Sequence, residues 1–324
     1  MSRTDLPQCV MPAINFKGGT GKTTVAIAIA EGICHLFRKR VVIIDCDFQC
    51  SASISLLGRK ALNDLIIKDA TLDCHVQKLV GHESPMRLGA AAMKTRHCVE
   101  EAAELLYLLP ASPDMPRRER QILSAYLAGG DIDLAYERAS TRIAELFRSL
   151  LDEFDFVIVD CPPGLTLFSE GAIRAADGLI IPTLPNEISF AAIDHLRTEI
   201  ARTRPDRSLE DLLIGTVISK LRQRNGGEHH RQQVRSIETL LDRAAPGFQI
   251  LKPYLPFCRE LETTTWRDDE IGLVSFANRY GQLAAMIEQL VLEFATRCRT
   301  LMRRRHSKAK VAQPSSLGCQ SSPI

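Results

Sequence analysis

Phe16-Lys17-Gly18-Gly19-Thr20-Gly21-Lys22-Thr23-Thr24 joins a short apolar run, Val10 to Phe16, to an alanine-rich apolar segment, Val25 to Phe37. The order reads as strand, glycine loop, helix. Glycines at 18, 19 and 21 let the backbone turn tightly, so that its N–H groups can converge on phosphate oxygens. The start of the following helix adds the positive end of its dipole. Lys22 is placed to reach the β- and γ-phosphates of a nucleotide, and the Thr23 hydroxyl to ligate Mg2+. In the usual phosphate-loop pattern, G-x-x-x-x-G-K-[ST], a glycine opens the loop. Phe16 takes that position here, and an additional lysine, Lys17, heads the loop.

Working outward, two other apolar runs end in acids. Arg40 to Asp47 reads RVVIIDCD, a β-branched run of the kind found in parallel strands buried on both faces. It closes on Asp45 and Asp47. Phe154 to Gly164 reads FDFVIVDCPPG, and its strand ends in Asp160, an acid placed to hold Mg2+ through water. Further strand-like runs are Leu105–Pro110, Gly178–Pro182, Gly215–Ser219 and Ile250–Pro256. Between them, Ala61–Ile67, Asp131–Asp152 and the stretch from Ser189 carry helical patterns, and Ser275–Arg305 carries a long one. Arg117-Arg118-Glu119-Arg120 reads as a solvated helix face. Strands alternating with helices imply an α/β fold with a doubly wound, mainly parallel sheet and its ligand at the carboxyl ends of the strands.

The chain has 324 residues, 45% hydrophobic and 25% charged, as expected of a soluble globular protein. No apolar run approaches the ~20 residues of a membrane span. Residues 1–8 are polar, unlike a signal peptide. The ten cysteines are scattered without metal-site spacing, which suits a reducing cytoplasm. After Phe294 there are no acids and seven bases. Removing those seven from the net charge of +2 leaves −5 for residues 1–294. We therefore expect one domain over residues 8–296 and a basic, disordered tail over 297–324.

The KGGTGKTT string resembles the deviant Walker A motif of the ParA/MinD family of P-loop ATPases. Three further stretches share in the resemblance: the segment after Asp47, the LPA at Leu109 to Ala111, and the DCPPG at 160–164. Phe48 replaces the family's proline, and Arg222 stands where the family often has an adenine-reading Asn or Asp. The resemblance implies ATP and Mg2+ as ligands. Residues 17–24 (Lys17, Gly18, Gly19, Thr20, Gly21, Lys22, Thr23 and Thr24) would hold the nucleotide, and Thr23, Asp45 and Asp160 would hold the metal. It implies that Asp47 orients the attacking water and that Lys17 reaches the nucleotide of the other subunit in an ATP-bound homodimer.

Within the family, the closer likeness is to ParA-type partition ATPases. That reading implies a cytoplasmic, nucleoid-associated switch. It would bind DNA non-specifically, through Arg222, Arg224, Arg231 and Arg235, and be stimulated by a DNA-binding adaptor of the ParB kind. The alternative is a MinD-like positioning ATPase on membrane, which needs bulky apolar residues in its last helix; only Leu301 and Met302 supply them here. A third possibility is a metabolic enzyme on the same scaffold. An iron–sulfur reductase would need paired cluster cysteines, which Cys98 and Cys161 do not form. His229 and His230 read as solvated.

Overall fold

The computed structural model describes residues 6–80, 88–127, 130–184, 186–219, 235, 238–239, 250–256 and 272–312, the side chains of 187–190 and 306–312 excepted. Its described strands form one eight-stranded sheet in the order β3-β4-β2-β5-β1-β6-β7-β8. The strands are β1 (Cys9–Ala13), β2 (Val41–Asp45), β3 (Met93–Lys94), β4 (Leu106–Leu109), β5 (Phe156–Asp160), β6 (Leu179–Thr183), β7 (Leu213–Ile218) and β8 (Ile250–Leu251). All neighbours run parallel except the two-residue edge strand β3. Chain order reverses at β1: β2 lies beyond β5 on one side, and β6 to β8 extend on the other. That switch point is where an open α/β sheet offers a crevice.

Alternate residues of each strand supply two cores. Met11, Ile43, Leu108 and Ile158 pack against α1 (Lys22–Phe37), α2 (Ser51–Leu57) and the C-terminal helices. Val10, Ile44, Val157 and Ile181 face the opposite layer. Helices of that layer include α4 (Leu72–Val80), α5 (Met115–Tyr126), α6 (Ile132–Ser149), α7 (Leu167–Ala175) and α8 (Glu187–Thr203), with the short α9 (Leu209–Leu212) leading into β7. The continuous apolar strands are thus buried on both faces, as their composition required. The helix at Arg59–Ile67 (α3) follows α2 directly.

The C-terminal pattern is broken and then extended. α10 (Phe276–Tyr280) ends at Gly281, whose φ is 51°, before α11 runs over Ala284–Ala312. On α10, Tyr280 donates its hydroxyl to Glu31 of α1 at 2.5 Å, and Arg279 stands 2.7 Å from the same buried carboxylate. α11 crosses the domain boundary expected after residue 296. Cys298, Leu301 and Met302 are buried in the first core, and Arg305 donates to the carbonyl of Asp177 at 2.5 Å. Residues 297–312 are therefore helical rather than disordered, because one side of the basic stretch is apolar and has the sheet to pack on. Residues 313–324 lie outside the described residues.

Candidate nucleotide-binding site

Everything the sequence reading assigned to phosphate chemistry, within the described residues, meets at the carboxyl ends of β1, β2 and β5. The loop leaves β1 and enters α1 through Gly21, whose φ of 80° puts it in the left-handed region, as does φ 73° at Gly19. Both positions favour glycine. No side chain caps α1 and its first turn holds no acid, so the amides of that turn are open to an anion.

Side chains absent from the sequence reading hold the loop in shape. Asn15, buried at the end of β1, donates to the carbonyl of Pro182 at 2.9 Å and accepts from the amide of Lys17 at 2.9 Å. Ser219, also buried, donates to the carbonyl of Thr20 at 2.6 Å. The loop is thus fastened to the ends of β6 and β7. Lys22 donates its Nζ to the carbonyl of Lys17 at 3.1 Å. Burial lowers its pKa, against the pull of Asp160, Cys161 and Asp47. The Nζ of Lys17 instead points to the start of α8 and donates to Oδ1 of Asn186 at 3.1 Å. Phe16, in the place of the usual glycine, packs edge-on against His195 of α8 at 5.1 Å between ring centres.

The three acids behave differently. Asp45 is buried and accepts from the Ser53 amide at 2.8 Å, the Ser53 hydroxyl at 2.6 Å and the Asp47 amide at 3.1 Å. Burial nevertheless raises its pKa to about 6, the hydrogen bonds opposing the rise. Asp47 follows it and accepts from the amide of Gln49 at 2.9 Å. Phe48, which replaces the family's proline, is 47% exposed beside it. Asp160 is buried with no full hydrogen bond to either carboxylate oxygen. Burial, then the nearby Asp45, pushes its pKa well up, while Thr23 and Lys22 work the other way.

A buried carboxylate with both oxygens unused, facing a lysine and a hydroxyl, suits a magnesium ion shared with phosphates. Among the described residues no cluster of three or more His, Cys, Asp or Glu side chains could hold a metal alone. Asp45 is tied to protein donors through Ser53 and Asp47, so its first effect is to fix the turn that carries Asp47. Between these acids, Cys46 and Cys161 are buried thiols; burial above all pushes Cys46 up, with Cys161, Asp45, Asp160 and Glu119 adding to it.

Not all expected residues fall here. Arg222, Arg224, Arg231, His229 and His230 lie outside the described residues; Arg235 is exposed. The stretch 117–120 is only partly the solvated face expected of it. Arg117 and Arg120 are exposed, but Arg118 binds Asp69 at 2.8 Å and Gln77 at 2.6 Å, and Glu119 reaches the amide of Phe168. The reason is that α5 packs between α4 and α6, which draws Arg118 and Glu119 into contacts and leaves Arg117 and Arg120 on its outer side. Asn15 carried a sequence signal: a lone amide closing an apolar run just before a glycine loop.

Comparison with known proteins agrees with this fold. A family model described as "AAA domain" (AAA_31) matches residues 9–212. The chain is similar to the chromosome partitioning protein ParA of Myxococcus xanthus (strain DK1622), at 27% identity over 206 residues. That alignment spans 62% of this chain and 62% of the relative. Among solved structures, cobyrinic acid a,c-diamide synthase of Mycobacterium smegmatis with a bound ATP analogue and magnesium superposes with a TM-score of 0.61. The identity is 21%, covering 96% of this chain and 100% of that one. The pNOB8 ParA bound to nonspecific DNA gives 0.56 at 19% identity, over 91% of this chain and 98% of that one. These likenesses establish the fold; the family match, which extends from β1 to the end of α9, goes further, and the chain belongs to the AAA_31 group of P-loop ATPases of ParA/MinD type.

Proposed function

We propose that the chain is an ATP-dependent switch of the partition type. It would bind ATP with Mg2+, pair with a second copy, bind DNA without sequence preference in that state, and be released by hydrolysis that a DNA-binding adaptor stimulates. The observation that carries the reading is the pairing of an uncapped α1 N-terminus with the bare carboxylate of Asp160, with Lys22 and Thr23 between them.

In this reading the open amides of residues 18–22 and the ammonium of Lys22 bind the β- and γ-phosphates. Thr23 and Asp160 would hold Mg2+, which would supply charge neutralisation to the phosphates. Asp47, fixed by Asp45, orients the attacking water. Lys17 has no need to serve its own phosphates, since Lys22 does so, and its role is across the dimer. Slow turnover by the lone chain follows, because a site that depends on a partner's lysine is incomplete without it.

The C-terminal helix favours DNA over membrane as the surface partner. Leu301 and Met302, the large apolar residues of its basic stretch, are buried against the body, leaving arginines such as Arg303 and Arg304 outward. No described helix is long and apolar enough to cross a membrane. Arg222, Arg224, Arg231 and Arg235 are the proposed DNA contacts, and a nucleoid-associated, cytoplasmic location follows from them. The relative in Myxococcus is named a chromosome partitioning protein, and the pNOB8 relative was solved on nonspecific DNA; both names support the reading. ATP turnover measured with DNA, with anionic liposomes and with neither is the test. Binding of DNA in the ATP state alone supports the switch; sedimentation with liposomes instead of DNA replaces it with the membrane reading.

A further inference from the structure

Glu119 belongs to no motif, yet it touches the segment that follows Asp160. It sits on α5, and its Oε1 accepts from the amide of Phe168 at 3.4 Å, 49 residues away in sequence. The Leu167 amide and the Thr166 hydroxyl face the same carboxylate. These groups form the first turn of α7, where helical amides lack partners within the helix. Thr166 and Ser169 already cap one another there, so Glu119 is a second fastening, supplied from another element.

The consequence lies upstream. Only residues 161–166 separate Asp160 from α7. Within them, Pro163 lies next to the phosphate loop: a Cβ built on Gly18 would stand 3.9 Å from the Cβ of Pro163. Gly164, at φ 95°, turns the chain away. The height of this segment over the loop is therefore set by Asp160 at one end and by the α7 N-terminus at the other. α5 is a firm base for that second anchor, since Arg118 fastens it to Asp69 and Gln77, and Ser112 accepts from the amide of Asp114 at 3.1 Å.

We propose that Glu119 is a positioning residue for hydrolysis: by holding the first turn of α7, it sets the Pro162–Gly164 segment against the phosphate loop on the side where the γ-phosphate would lie. The proposal rests on the ATPase reading above. It implies that Glu119 acts on the triphosphate state and leaves diphosphate binding alone, because diphosphate contacts come from the loop and α1.

Glu119→Ala and Glu119→Gln test it. Turnover number, KM and ADP affinity are measured on each, with melting temperature as the check on folding. Small misplacements of a positioning group cost up to roughly 10²-fold in rate. Glu119→Ala is expected to lower kcat roughly tenfold or more while ADP affinity stays within about twofold. Glu119→Gln is expected to recover most of the rate, because its amide oxygen still accepts from the Phe168 amide. Parent-like kcat in both variants overturns the proposal, as does an equal fall in kcat and ADP affinity. A parent that hydrolyses no ATP overturns the ATPase reading instead. The preference for a slowly hydrolysed ATP analogue over ADP then decides: its loss in Glu119→Ala supports the positioning role, and its retention refutes it.

Discussion

Asp45 and Asp160 stand directly opposite one another at the carboxyl ends of adjacent parallel strands, and they are differently used. Asp45 accepts three hydrogen bonds from Ser53 and Asp47, while neither oxygen of Asp160 receives a full one. Asp160→Asn should therefore lower the Mg2+ dependence of nucleotide binding roughly 10- to 100-fold, the usual effect of losing an outer-shell metal partner. The apo fold should be no weaker, since neither oxygen of Asp160 receives a full hydrogen bond there. Isothermal titration with and without Mg2+ checks this, and unchanged Mg2+ dependence removes Asp160 from the metal site.

The same pair makes apo stability depend on pH. Asp45 is held at about 6, above its ordinary 3.8, and Asp160 is also raised. A raised acid binds its proton more readily in the folded state, so its stabilising effect is complete at low pH and is lost as pH rises through the folded pKa. The ionised Asp45 alone costs the folded state on the order of 1–3 kcal/mol at neutral pH. The melting temperature of the apo protein should rise as pH falls from 7 to about 5. Asp45→Asn should flatten that rise; a parent whose melting temperature falls across the window contradicts the account.

Lys17 and Lys22 should separate binding from pairing. Lys22→Ala removes the ammonium proposed to meet the phosphates and should abolish nucleotide binding. Lys17→Ala should bind nucleotide yet fail to dimerise. Asp47→Ala should bind and dimerise but hydrolyse roughly 10²–10⁴-fold more slowly. Sedimentation and single-turnover assays report these separately, and near-normal turnover by Asp47→Ala would transfer its role elsewhere.

Truncation now has a sharper expectation than the sequence allowed. Deleting 297–324 removes Cys298, Leu301 and Met302 from the core and Arg305 from Asp177. Losing a buried leucine or methionine side chain costs about 2–5 kcal/mol. That variant should unfold or melt far below the parent. A stable, parent-like protein ending at residue 296 would mean that α11 is an appendage.

For DNA, charge reversal at Arg222 and Arg224 should weaken binding with ATP affinity intact. Every DNA phosphate that is no longer neutralised should reduce the slope of log affinity against log salt by about 0.9. An unchanged slope places the DNA surface elsewhere.

The residues proposed to carry phosphate chemistry were legible because their pattern is local. A glycine loop between strand and helix, and two apolar runs ending in Asp45 and Asp160, need no tertiary information to be recognised. The parallel sheet followed from runs too apolar for a strand with a wet face. What escaped depends on partners distant in sequence. Ser219 meets Thr20 across 199 positions and Glu119 meets Phe168 across 49, and neither leaves a periodic trace. The edge strand β3, at two residues, is too short to announce itself. α11 runs past Arg305, where the helical pattern of the sequence ends, to Ala312; that Cys298, Leu301 and Met302 on one face of its basic stretch are buried depends on the sheet they pack against.

Sedimentation of the parent chain with Mg2+ and either a slowly hydrolysed ATP analogue or ADP tests the switch most directly. The account predicts dimers with the triphosphate and single chains with ADP, and single chains with both for Lys17→Ala. A parent that stays a single chain with the triphosphate bound, or that dimerises equally in ADP, would contradict it.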